Sequence, residues 1–394
     1  MPAQPRWPLA AMAALMLAIL LLSCVTRPSG TSATLPAVPA ALALRNAQLD
    51  KPLICPGATP AASYVGARGT DFAYQGQALH LSGYTFYPAL NGGSSAWHSA
   101  SFSGYIDRVL ALAARAGLNL ARPTDFWSTS GVGQRWDDPT LWANLDHLVC
   151  AAASQHTFVV MDLSAFKWLL VSLHLDPYNA ANWTLYLDTI GHHFADQPAI
   201  AFYSISGEPP APTTPAQVTA LVGFYRAVTD ELAAADCKHH LIAAGGFNHM
   251  EEVTPATPWW QEIYALPNNT VVAFKTYSNH DLALLPAIAA YAAKLRKPLV
   301  DEEFGMPQSL GDAVFSGASY NGIAMSRAQF FQAVYQGGDG VGVHAFIFWN
   351  LGCQIKAQGY DVGPETPAVW QVIQQFAANA PTPGAPAQAG CPLT

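Results

Sequence analysis

The stretch Ala199-Ile-Ala-Phe-Tyr-Ser-Ile-Ser-Gly-Glu208-Pro209 is a short apolar run that ends in a carboxylate, followed at once by proline. A second stretch, Lys297-Pro-Leu-Val-Asp-Glu-Glu303-Phe304-Gly305, has the same form, with a Phe-Gly break in place of the proline. Each reads as a buried strand running into a turn. If both are parallel members of one sheet, Glu208 and Glu303 emerge at the same end and face each other across a pocket. Glu302 competes with Glu303 for that position. Alternation sends neighbours to opposite faces of a strand, so one of the two looks inward, and the following Phe-Gly favours Glu303.

Outward from these two strands the pattern repeats. Strands are expected at 79–86, 118–123, 158–163, the Glu208 run, 241–246, 271–277, the Glu303 run and 343–350. Helical spacing falls between them at 102–116, 139–153, 179–194, 215–235, 281–295, 326–336 and 365–377. A small hairpin turning at Gly76 precedes the first strand. Eight near-continuous apolar strands alternating with helices over about 300 residues predict an α/β fold of the (β/α)8 TIM-barrel type. The alternative is an open doubly wound sheet, but no glycine-rich phosphate loop follows the first strand.

Composition narrows the function. With 18 Lys+Arg against 26 Asp+Glu the net charge is −8, which argues against nucleic acid as a partner. Half of the 394 residues are apolar and 11% are charged, enough for a large core. The 11 Trp and 15 Tyr suit a site that stacks flat rings on sugars, although most aromatics of any such chain are core. No cofactor is implied, and a monomer is expected.

Residues 1–23 read as a lipoprotein-type signal peptide: Arg6, an apolar run from Leu9 to Leu22, then Leu21-Leu22-Ser23-Cys24, which resembles a bacterial lipobox. Cys24 would then carry a lipid anchor to the membrane; plain cleavage or an uncleaved anchor are the alternatives, and each version exports the domain. Residues 24–50, rich in Thr, Ser, Pro and Ala, read as a tether, 51–380 as the catalytic barrel and 381–394 as a tail. Five cysteines remain after Cys24, an odd number that leaves at least one free or paired with another chain. Cys55 and Cys391 could staple the ends of the domain, though connectivity is open. His192-His193 and His239-His240 are adjacent pairs whose side chains diverge, and no metal site is expected.

A barrel places its chemistry at the C-terminal strand ends. Those ends carry Tyr84 and Tyr87, Arg122, Asp162 and Ser164, Glu208, Asn248, Lys275 and Tyr277, Glu303 and Trp349. Two carboxylates among cations and aromatics match a retaining glycosidase, in which one carboxylic acid protonates the leaving oxygen and one carboxylate about 5–5.5 Å away attacks the anomeric carbon. Lys275 and Tyr277, two apart, point to one side of their strand, where a cation keeps Glu303 ionised; an ion pair of Lys275 with Asp301 or Glu302 outside the barrel is the competing arrangement. Asp162 reads as a buried structural carboxylate. Of Trp127, Trp136, Trp168, Trp259 and Trp260, two, with Trp127 foremost, are expected to wall subsites.

From Phe72 to Phe376 the order of motifs resembles the family 5 glycoside hydrolases, the cellulase and mannanase group. The pieces are Gly117-Leu-Asn-Leu-Ala-Arg122-Pro123, Asp196-Gln-Pro198, Gly207-Glu208-Pro209, Lys297-Pro298 before Glu303-Phe304-Gly305, and Phe348-Trp349-Asn350. The resemblance implies Glu208 as acid/base, Glu303 as nucleophile, Arg122 and Tyr277 as its supports, and Trp349 as a sugar platform. It implies a polysaccharide or oligosaccharide substrate, mannan- or glucan-like. Three positions depart from the family: Gly207 stands where an Asn binds the sugar 2-hydroxyl, Ser164 where a His stands on the third strand, and Lys275 where a His precedes the sixth-strand Tyr. A carbohydrate-binding lipoprotein without turnover and an envelope-glycan transglycosylase are the competing functions.

Overall fold

The computed structural model describes residues 42–44, 46–56, 63–87, 93–127, 135–247, 259–307, 325–352 and 359–378. Cys24, the expected signal peptide and most of the expected tether, Asn248, and the tail from 381 lie outside the described residues. Eight parallel strands run around a barrel: β4 (Leu81–Phe86), β5 (Leu120–Pro123), β6 (Phe158–Asp162), β7 (Ile200–Ser204), β8 (Leu241–Ala243), β9 (Val272–Thr276), β10 (Leu299–Phe304) and β11 (Ala345–Phe348). Their order is β8-β7-β6-β5-β4-β11-β10-β9, and bridges Ala243–Val271 and Phe247–Phe274 join the two ends of that order, the β8 and β9 sides, across the seam. The fold is a (β/α)8 TIM barrel.

The apolar strand runs are used on both faces. Leu81, Leu120, Val160, Phe202, Val271, Val300 and Ile347 fill the barrel interior. Their neighbours, among them Tyr84, Val159, Tyr203, Phe274 and Phe346, pack outward under the helices. Those helices are α1 (Ser103–Arg115), α2 (Pro139–Ser154), α3 (Phe166–Ser172), α4 (Thr184–Phe194), α5 (Pro215–Ala235), α6 (Trp259–Tyr264), α7 (Asn279–Leu295), α8 (Arg327–Asp339) and α9 (Pro367–Ala377). Sequence signals set several starts: Thr214 with Gln217 and Ser326 with Gln329 form capping boxes, and Pro139 and Pro215 open their helices. The short helices α3 and α6 were not expected from periodicity, since neither spans two turns.

Three short antiparallel strands, β1 (Gly66–Arg68), β2 (Asp71–Tyr74) and β3 (Gln77–Leu79), cover the N-terminal mouth of the barrel. Phe72 plugs that mouth by stacking on Phe202, with ring centroids 5.9 Å apart. The packed chain begins earlier than residue 51, because Leu42 and Leu49 are buried in the core and Trp136 donates its indole N–H to the Leu42 carbonyl. Cys55 is bonded to Cys150 of α2, not to Cys391, and Cys237 is also in a disulfide.

Candidate active site

Glu303, at the end of β10, is 7% exposed and held from three sides. Arg122 Nη1 lies 2.6 Å and Lys275 Nζ 2.9 Å from Oε2, and the Tyr277 hydroxyl donates to Oε1 at 2.5 Å. Burial alone pushes the carboxyl up, but the Lys275 ammonium and the Arg122 guanidinium outweigh it and bring the pKa down to about 2. Lys275 is pulled down by burial and pushed up more by Glu303 and then Glu208, so it stays charged. The sequence placed Lys275 and Tyr277 on one side of β9, and both reach the same carboxylate.

Glu208 follows β7 with its side chain 42% exposed and its backbone in the left-handed region, φ +51°. Such a backbone is strained for a non-glycine residue and is held here by the Glu208 N–H bond to the Gly246 carbonyl, 3.1 Å. Lys275 Nζ is 3.2 Å from Glu208 Oε1. One ammonium therefore bridges both carboxylates.

Gly207 has a structural reason. A Cβ there would sit 2.9 Å from the Gly246 carbonyl oxygen, because residues 206–208 run backbone against backbone along 244–246. The same Cβ would be 3.7 Å from Lys275 Cε, so the lysine lies beside the space that an asparagine side chain would use. Replacing Gly207 with Asn should then lower stability by about 1–3 kcal/mol, the range for overpacking, measured as a fall in Tm.

Expectation and structure differ at Glu302. Along β9 the partners step from Phe274 to Lys275 while β10 steps from Asp301 to Glu303, which makes Glu302 the extra residue of a bulge. The bulge breaks the alternation, so Glu302 and Glu303 both turn toward Arg122. Glu302 Oε1 accepts from Ser204 Oγ at 2.5 Å and lies 3.4 Å from Arg122 Nε. Burial raises the Glu302 pKa despite Arg122. Asp162 completes the cluster, 2.7 Å from Arg122 Nη2, and is fully buried. Lys275 thus pairs inside the barrel, not with Asp301 or Glu302.

Two expected sugar contacts are misplaced. Tyr84 is fully buried, because its position on β4 faces the helices; Thr85, the next residue, faces inward and accepts from Arg122 Nη1 at 3.3 Å. Trp127 is 1% exposed and packed edge-on against Phe166 and Tyr186. Trp136, Trp259 and Trp260 are core as well, whereas Trp168 is 45% exposed with Lys167 Nζ 5.1 Å from its ring centroid. Lys167 in turn donates to the Gly207 carbonyl at 2.8 Å, which places Trp168 near the acid/base candidate. Trp349 is half-buried, its ring 5.2 Å from that of Tyr87, and Tyr360 meets Tyr277 edge-on at 5.9 Å.

Sequence reading missed Lys167, Tyr178, Tyr360 and Asp125. Tyr178, on the loop after α3, is pushed up to about 12 by burial and by the charge of Glu208. The one signal for Lys167 was a lone cation in an otherwise apolar helix; Tyr178 and Tyr360 sit in loops and carried none. Asp125, two residues past β5, has φ +62° and is pushed up to about 7 by burial. Its folded pKa exceeds the ordinary 3.8, so its contribution to stability is present below about pH 4 and is lost as pH rises through about 7. Asp125→Asn should raise stability at about pH 8 by on the order of 2 kcal/mol, allowing for its partial exposure, and by little at about pH 4. Denaturant titrations at both pH values measure the difference.

No family model and no curated protein matches the sequence. Solved structures do match it in shape. The endo-1,4-β-mannanase of Rhizomucor miehei superposes with a TM-score of 0.61 at 16% identity, over 80% of this chain and 100% of that one. A family 5 mannosidase of the same organism gives 0.59 at 15% identity, over 82% and 98%. The β-glucuronidase of Ruminococcus gnavus gives 0.52 at 13% identity, over 80% of this chain and 53% of its own. The chain has the (β/α)8 barrel fold of the family 5 glycoside hydrolase structures.

Proposed function

We propose that the protein is a retaining β-glycoside hydrolase of the endo type acting on a β-linked, mannan- or glucan-like saccharide, with Glu303 as nucleophile and Glu208 as acid/base. The observation that carries this reading is the shared lysine. Nζ lies 3.2 Å from one carboxylate oxygen and 2.9 Å from the other, so those oxygens are at most about 6 Å apart. That is short of the roughly 6.5–9.5 Å that an inverting enzyme needs for its water and close to the roughly 5–5.5 Å of a retaining one.

The chemistry then runs in two displacements. Glu208 gives its proton to the glycosidic oxygen as that oxygen leaves C1, and the Glu303 carboxylate closes on C1 to form a glycosyl ester. Water enters, gives a proton back to Glu208, attacks C1 and releases Glu303 as carboxylate. An ionised Glu303 is ready for the first step, and the partly exposed Glu208 is accessible to water for the second. Lys275 has three N–H donors, of which two go to the carboxylates. The third would serve the sugar 2-oxygen in place of the asparagine absent at Gly207. Trp349, with Tyr87 beside it, would be the platform under the ring.

The second reading, a carbohydrate-binding protein without turnover, is favoured by the same lysine, which engages both carboxylates at once. Labelling with a 2-fluoro glycoside followed by peptide mapping separates them. A label on Glu303 supports the hydrolase, a label elsewhere overturns the nucleophile assignment, and no label together with no reducing sugar from any β-glycan leaves the binding protein. We place the protein outside the cytoplasm, anchored through Cys24; its oxidised Cys55, Cys150 and Cys237 suit that compartment. Cys24→Ser should abolish incorporation of a labelled fatty acid.

A further inference from the structure

The N-terminal face of the barrel, opposite the carboxylates, carries a second cluster of functional groups. His80 precedes β4 and His344 precedes β11, two strands that pair in register from Ala345 and Leu81 onward. The backbone fixes both histidines: Leu81 N–H donates to the His344 carbonyl at 2.8 Å, and Asn119 Nδ2 donates to the His80 carbonyl at 3.0 Å. Their rings meet edge-on with centroids 4.9 Å apart. Asp339, the last residue of α8, joins them. One donor atom from each of His80, Asp339 and His344 lies within 4.8 Å of the other two.

The surroundings of His344 give a second, independent reason to see a ligand site. Asp71, on β2 of the plug, holds His344 Nε2 at 3.1 Å. His344 Nδ1 is buried and has no hydrogen-bond partner. A carboxylate 3.1 Å from Nε2 favours the proton on that nitrogen and leaves the Nδ1 lone pair open, an arrangement related to the carboxylate–imidazole pairs that orient metal-bound histidines. A buried ring nitrogen left without a partner is otherwise a net cost.

We propose that His80, Asp339 and His344 bind one Zn²⁺ at the base of the barrel, with Asp71 orienting His344. Two imidazoles and a carboxylate are donors of the borderline class that zinc takes, and water supplies the fourth position. A tetrahedral ion with bonds of about 2.0–2.1 Å sets its ligand atoms about 3.4 Å apart, so the cluster has to close by up to about 1.4 Å. His80 and Asp339 are exposed and can rotate to do so, while His344 is anchored. The site ties three parts of the chain together: the plug through Asp71, the first and last barrel strands through the histidines, and α8 through Asp339. Bound zinc would therefore stabilise the fold, by an increment that grows with the free-metal concentration.

The test is calorimetric titration of Zn²⁺ into the metal-stripped full chain, with Tm measured at each zinc level. The wild type should bind one equivalent more tightly than His80→Ala or Asp339→Asn by at least 100-fold, and its Tm should rise with zinc while theirs does not. Asp71→Asn should lose about 10-fold, the usual cost of an outer-shell partner. His80 and Asp339 are exposed, so their variants should fold. Zinc binding of equal affinity and stoichiometry in wild type and in a variant carrying both His80→Ala and Asp339→Asn overturns the proposal, as does a wild type that binds none.

Discussion

Glu303→Gln should lower turnover of a β-linked glycan by about 10⁴-fold or more while leaving saccharide binding within about tenfold of wild type, because the change removes the proposed nucleophile and keeps the shape of the site. Glutamine retains an acceptor for Tyr277 but has no charge for Lys275 and Arg122, both of which contact the Glu303 carboxylate. Glu303→Ala makes the assignment sharper. It opens a space lined by the same two cations, which suits a small anion. Azide entering from the nucleophile's face should restore cleavage of an activated glycoside and give the glycosyl azide of inverted configuration. Glu208→Gln should behave differently: substrates whose leaving group needs no proton should still form the glycosyl ester on Glu303, and breakdown of that ester should become the slow step. If Glu303→Gln keeps more than a few per cent of wild-type turnover, the two roles proposed for the carboxylates are wrong.

How much of this site could be read from the sequence depended on the type of regularity involved. The barrel was legible because its strands are buried on both faces and so read as apolar runs, such as Ile200–Ser204 and Val272–Thr276. Glu208 and Glu303 were visible as breaks at the ends of such runs. Period-two reasoning placed Lys275 with Tyr277 correctly and failed at Glu302, where a bulge inserts a residue without any mark in the sequence. Tyr84 failed for a related reason. Being near a strand end says nothing about which face a residue takes, and Thr85 holds the inward position. Two of five tryptophans that follow strands, Trp127 foremost, were expected to wall subsites, yet Trp127, Trp136, Trp259 and Trp260 are drawn into the buried core. The histidines and aspartates of the N-terminal face were invisible because His80 and His344 lie more than 260 positions apart and only strand pairing brings them together.

The largest effect on stability is expected at Arg122. The residue is 3% exposed, and its guanidinium touches three carboxylates: Glu303 at 2.6 Å, Asp162 at 2.7 Å and Glu302 at 3.4 Å. Arg122→Leu leaves Asp162 and Glu302 buried without their cation and Glu303 with Lys275 alone. Removing one partner of a buried ion cluster costs about 3–5 kcal/mol, because the remaining charges stay desolvated. The fall in Tm should be on the order of 10 °C. Arg122→Lys should recover a minor part, since one ammonium cannot reproduce a fork that reaches three separate acids.

The loss should also depend on pH, with a sign the cluster dictates. In the wild type the Glu303 pKa of about 2 lies below the ordinary 4.5, so its contribution is full above about pH 4.5 and disappears as pH falls toward 2. In Arg122→Leu the orphaned carboxylates take up protons at higher pH, and a protonated acid is far cheaper to bury. The variant's stability should therefore fall less steeply with acid than the wild type's. Denaturant midpoints should lie far apart at about pH 7 and converge below about pH 4. A gap that stays constant across that range would mean that Arg122 acts through packing and not through charge, and a gap under about 1 kcal/mol at neutral pH would mean that the three acids find other partners. Either result would remove the electrostatic basis on which Glu303 is proposed as the nucleophile.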